Sequence, residues 1–140
     1  MRNSISVFTS LQKIKAVSEL QKCNEITKQY GLSLSQEQIR NLIENRFFSL
    51  SETGRIEFSQ GITKKIIERF CDSPYIHQEN YEETICHLQE LFYYMKNETK
   101  DQISDDLLIL LMRQNFDDVC KGSIDYLQDV LISKWRGENG

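Results

Sequence analysis

A chain of 140 residues with one proline, six glycines, 39% apolar and 27% charged side chains has the size of one domain and enough apolar material to bury a core without disulfide or metal staples. Glycine and proline are too scarce for β-sandwiches, barrels or doubly wound folds, which need them at frequent turns, and no run approaches the roughly 18 apolar residues of a membrane span. The net charge of −4 hides an asymmetry: residues 1–70 hold 11 Lys/Arg against 7 Asp/Glu (+4), and residues 71–140 hold 6 against 14 (−8). Such a chain either offers a basic face to an anionic partner or folds its halves together for mutual compensation, the plainer reading.

The pattern predicts an all-α, single-domain bundle of about six helices with short loops, with residues 1–9 and 137–140 frayed. The first helix, about Ser10 to Tyr30, places Leu11, Ile14, Val17, Leu20 and Ile26 at mostly helical spacing and ends at Gly31. Ser35 and Gln38 form a capping box for the second, Leu34 and Ile39 its hydrophobic staple, and Gly54 its stop. Its apolar stripe is Ile39, Leu42, Ile43, Phe47 and Leu50. Arg55 to Phe58 alternates polar and apolar but has no strand partner, and reads as a loop. A third helix, about Gln60 to Cys71, carries Ile62, Ile66, Ile67 and Phe70 on one side, and Pro74 blocks its continuation.

The fourth helix, about Asn80 to Glu98, has a continuous seam of Tyr81, Ile85, Leu88, Phe92 and Met95, which predicts a central position. Ser104 caps the fifth, to about Lys121, with Asp105 and Asp106 in the first turn, where negative charge suits the helix dipole. Its run from Leu107 to Met112 is apolar on every side, so it belongs either to the core or to a subunit contact. Gly122 ends it, and Ser123 caps a sixth helix with Ile124, Leu127, Leu131 and Trp135 on one face.

The segment Met1 to Leu11 lacks an export signal's unbroken apolar stretch, because Ser4, Ser6, Thr9 and Ser10 interrupt it. With cysteines scattered at 23, 71, 86 and 120, this predicts reduced thiols and a cytoplasmic location. No metal and no cofactor is expected. Zinc sites use close pairs such as Cys-x2–4-Cys, which are absent, and Glu83, His87 and Glu90, though on one helical face, point away from the seam. Glycine loops for phosphates are also absent, which excludes nucleotide hydrolysis by those routes.

Two places carry functional expectations. The turn holding Cys71, Asp72, Tyr75 and His77 is the one local grouping of a nucleophile, an acid and a base, and so a candidate small-ligand or enzyme site. Phe92-Tyr93-Tyr94 spans about 200° of helix surface, so all three rings cannot face one core. With the 107–112 run, it marks Tyr93, Tyr94, Leu107, Leu110 and Leu111 as candidate interface residues. Nucleic-acid binding through Lys13, Lys15, Lys22, Lys28, Arg40 and Arg46 is a third option, which the acidic pI of about 5.2 disfavours.

Gly-Arg-Ile-Glu-Phe at 54–58, Phe-Cys-Asp-Ser-Pro-Tyr-Ile at 70–76, Leu-Gln-Glu-Leu-Phe-Tyr-Tyr-Met-Lys-Asn-Glu-Thr at 88–99 and Gly-Ser-Ile-Asp-Tyr-Leu at 122–127 together resemble a small bacterial family of unknown function. The resemblance runs from about residue 17 to 135, implies no activity, and departs at Met95, where Phe is expected. The residues therefore predict a protein–protein interaction or assembly module without a catalytic centre, contacting a second copy or another protein, with the Cys71–His77 turn as the rival site.

Overall fold

Ser35 and Gln38 cap one another as their spacing predicts: the Gln38 N–H donates to the Ser35 hydroxyl at 3.1 Å, and the Ser35 N–H to Gln38 Oε1 at 2.9 Å. Ser104 caps in the same manner, accepting from the Leu107 N–H at 3.3 Å. A computed structural model describes residues 2–57 and 61–139, with side chains for 11–57 and 61–138. Among the described residues the chain forms six α-helices, α1 (Arg2–Thr27), α2 (Gln36–Glu52), α3 (Gly61–Phe70), α4 (Tyr81–Glu98), α5 (Asp105–Asp118) and α6 (Ile124–Asn139), with short 3-10 turns at Lys28–Tyr30 and Gln78–Asn80 and no strand. Arg55 to Glu57 is irregular, as expected, while Phe58 and the expected start of α3 at Gln60 lie outside the described residues.

The seam of α4 places that helix at the centre. Tyr81, Ile85, Leu88, Phe92 and Met95 are all at most 1% exposed, and α4 touches α2, α3 and α6, while α1 lies across α2 and α3, and α5 bridges α3 and α6. Phe70 meets Phe116 edge-on at 5.4 Å, joining α3 to α5. No helix among the described residues is long and apolar enough to cross a membrane.

The backbone is helical from Arg2 and onward to Asn139; Met1 and Gly140 lie outside the described residues. Two details depart from expectation. Helix α5 ends at Asp118, short of Lys121, since the Gly122 N–H folds back to the Phe116 carbonyl at 2.8 Å. Gly122 takes φ +87°, and a Cβ there would stand 2.7 Å from Tyr75 Cβ, so the turn requires both the left-handed conformation and the missing side chain. Finally, the buried stripe of α1 is Ala16, Leu20, Cys23 and Thr27, at spacings of 4, 3 and 4. Leu11 and Ile14 project from the opposite side, 60% and 65% exposed.

Candidate interaction surface

Helix α2 carries charge inward and an aromatic ring outward. Arg46 is buried, and its guanidinium donates to Glu57 Oε1 at 2.6 Å and to the Tyr93 hydroxyl at 3.3 Å. The Tyr93 hydroxyl in turn donates to the same carboxylate oxygen at 2.9 Å. Burial, reinforced by the Glu57 charge, raises the Tyr93 phenol above its ordinary range, so it stays a proton donor. Beside it the fully buried Gln89 accepts from the Thr63 hydroxyl and donates to the Leu42 carbonyl at 3.2 Å and to Asn45 Oδ1 at 2.9 Å. The interior polar groups thus tie α2, α3, α4 and the loop after α2 together.

Two residues beyond Arg46, about 200° around the helix, Phe48 stands 64% exposed. It lines a groove of about 580 Å³ between α2, α4 and α6 whose apolar wall is Leu91, Tyr94 and Ile124, with Glu52, His87, Glu90 and Asp125 around it. Ser49 lies in the same wall, 4% exposed, its hydroxyl without a hydrogen-bond partner among the described residues. On the other flank of α2, Ile14, Val17 and Ile43 line a second groove of about 480 Å³ against α1, edged by Lys13, Arg40 and Glu44. One groove is bordered chiefly by carboxylates and the other chiefly by cations.

The structure disperses the residues expected to act as an interface. Tyr93 is wholly buried, a correction with a simple cause: α2 lies where its ring points, and Arg46 and Glu57 take its hydroxyl. Tyr94, 38% exposed, reaches the Phe48 groove. Leu107 is 48% exposed on α5, Leu110 sits half-buried in a cleft between α3 and α5, and Leu111 half-buried in one between α5 and α6. Leu108, Ile109 and Met112 belong to the core, which accounts for half of the apolar run.

The turn after α3 is held as a clamp. Cys71 is buried, its thiol 3.6 Å from the Glu68 carbonyl, and burial together with the Asp72 charge pushes it above its usual range. Asp72 pairs with Arg113 at 2.5 Å, a hydrogen bond that holds its carboxyl below the usual range. Arg113 also donates to the Arg69 carbonyl at 2.5 Å and to Asp117 at 2.7 Å, and the Ser73 hydroxyl donates to Asp117 at 2.8 Å. Tyr75 packs edge-on against Phe116 at 6.3 Å. His77 is exposed, its backbone N–H donating to Asn80 Oδ1 at 2.7 Å. Asp72 is thereby brought to Arg113, while the Cys71 thiol turns to the backbone. Burial also lifts Cys23 to about 11 and Cys86 to about 12, so these thiols carry little thiolate near neutrality. Among the described residues no group of three or more His, Cys, Asp or Glu side chains is placed to hold a metal ion.

Phe48 and Ile14 were missed as surface residues, although one signal existed. Phe47 and Phe48 are adjacent, about 100° apart on a helix, so the ring that completes the stripe leaves its neighbour off it. Residues 19–138 match the sequence profile of DUF6323, described as a family of unknown function. The chain belongs to this family. No curated protein and no solved structure matches it at a significant level. The part shared with the family includes every residue of the Phe48 groove, whereas Lys13, Ile14, Val17 and Ser18 of the second groove precede it.

Proposed function

We propose that this protein is a cytoplasmic, non-catalytic helical module that binds another protein chain through the outer side of α2. The observation that carries this reading is Phe48, 64% exposed beside an apolar groove in whose wall the buried Ser49 hydroxyl lacks a partner. An aromatic ring left in water gains nothing for the isolated fold, whereas aromatic anchors beside pockets are typical of protein interfaces. Four free cysteines, three of them buried, suit a reducing compartment.

A photoreactive phenylalanine analogue placed at position 48 of the full chain, in cells that express it, tests the reading. It should give a covalent adduct with a protein, and the same probe at Asp106, 78% exposed on α5 and away from α2, should give none. Equal yields at both positions, or no protein adduct at 48, would overturn it.

A further inference from the structure

We infer that the chain seated on this surface is a second copy of the protein, related by a two-fold axis that runs beside Glu44 and places each Phe48 in the α1/α2 groove of the other copy. The inference rests on the reading of the outer side of α2 as a protein-binding surface and names the occupant.

The knob and the hole lie on the same helix. Arg40, Glu44 and Phe48 are all exposed and follow one another at i, i+4 and i+8, a single outward stripe. Arg40 edges the groove between α1 and α2, and Phe48 is eight residues on, about 12 Å along the axis at 1.5 Å per residue. A two-fold through Glu44 that crosses the two α2 helices steeply carries Phe48 of each copy to the opposite flank of its partner's α2, against Arg40. The same contact is then made twice, as a closed symmetric dimer requires. The ring finds Ile14, Val17 and Ile43 in a groove of about 480 Å³, and Ile14, 65% exposed in the single chain, is covered by the same contact. The guanidinium at the lip can lie over the ring face.

Charge favours this pairing over a generic apolar contact. Phe48 shares its groove with Glu52, Glu90 and Asp125, and the hole is bordered by two cations, Lys13 and Arg40, and one carboxylate, Glu44, so each docked ring brings carboxylates toward a rim of net positive charge. An unfavourable term stands at the axis, where Glu44 of one copy faces Glu44 of the other. That repulsion gives the arrangement a signature that a different partner would not share.

The test is sedimentation of the purified full chain from low to high micromolar concentration, with variants at exposed positions whose fold is checked by far-ultraviolet circular dichroism. Wild type should pass from monomer to dimer. F48A, which lacks the knob, and I14E, which blocks the hole, should each weaken association at least about tenfold, a loss typical of an anchor residue. An equimolar mixture of the two should recover heterodimer, because the Phe48 of the I14E chain meets the open groove of the F48A chain. E44Q should tighten the dimer. A wild-type chain that stays monomeric throughout, a dimer indifferent to F48A and I14E, or a mixture that recovers nothing would each overturn the inference. A photo-adduct at position 48 with a different protein, alongside a monomeric chain, removes the second copy and leaves the binding surface standing. Absence of any adduct removes both.

Discussion

The two sides of helix α2 invert the usual rule of burial. On its inner side Arg46 is 3% exposed, and on its outer side, two positions later, Phe48 is 64% exposed. The inner exception is explained within the chain, because Glu57 and Tyr93 take up the guanidinium, and a buried charge so paired is tolerated. Among the described residues the outer exception has no such explanation. A polar group buried with partners reports on the fold, whereas an apolar group exposed beside a groove reports on what lies outside it.

Breaking the inner side should be costly. R46A removes the cation but leaves the Glu57 carboxylate, 20% exposed, against the Tyr93 hydroxyl in space closed to most water. A loss of about 3 kcal/mol is expected from stranding one member of such a pair, read as a lower urea midpoint at unchanged slope. Y93F is milder. It keeps the ring against Phe92 at 5.1 Å and deletes only the hydroxyl between Arg46 and Glu57, so it should lose about 1–2 kcal/mol. If both variants unfold like wild type, the inner network is ornamental and the contrast between the two sides disappears.

Ser49 sharpens the contrast from the groove wall. Its hydroxyl is buried without a partner among the described residues, so in the isolated chain it carries a desolvation cost and returns no hydrogen bond. S49A should therefore stabilise the free protein, by up to about 1 kcal/mol in urea unfolding. A clear destabilisation would mean that the hydroxyl has an internal role, and the groove would lose its unused polar group.

Which features were legible in the sequence follows from the range of the interaction that fixes them. The capping box of Ser35 and Gln38, the positive-φ glycines at 31, 54 and 122 and the 4-3-4-3 seam of α4 are encoded within a few residues, and each appears where the pattern placed it. The rotation of α1 is not local. Leu11 and Ile14 form a plausible stripe by spacing, but the side that is buried is set by α2 and α3, and it selects Ala16, Leu20, Cys23 and Thr27. The surface was harder still. Tyr93 points at Arg46, 47 positions away in sequence, and no spacing rule announces that an arginine will be buried. Cys71, Asp72 and His77 are close in sequence, yet Arg113, 41 positions from Asp72, decides what that turn does.

The smallest expected effect is the most informative. In dilute solution F48A should change the stability of the single chain by no more than about 0.5 kcal/mol, as at other exposed positions, and toward greater stability, because alanine is the better helix former and no contact in the core is lost. The reasoning reverses at high concentration. If two copies associate through Phe48, the folded state of wild type gains stability by mass action as the chain is concentrated, and its melting temperature rises. F48A should show no such rise. Two thermal melts per protein, dilute and concentrated, therefore separate the sides of α2: a variant such as Y93F should lower both melts alike, whereas F48A should leave the dilute melt nearly unchanged and abolish the gain in the concentrated one. A substantial drop for F48A in the dilute sample would show instead that the ring supports the fold of its own chain, and the outer face of α2 would then need no partner to explain it.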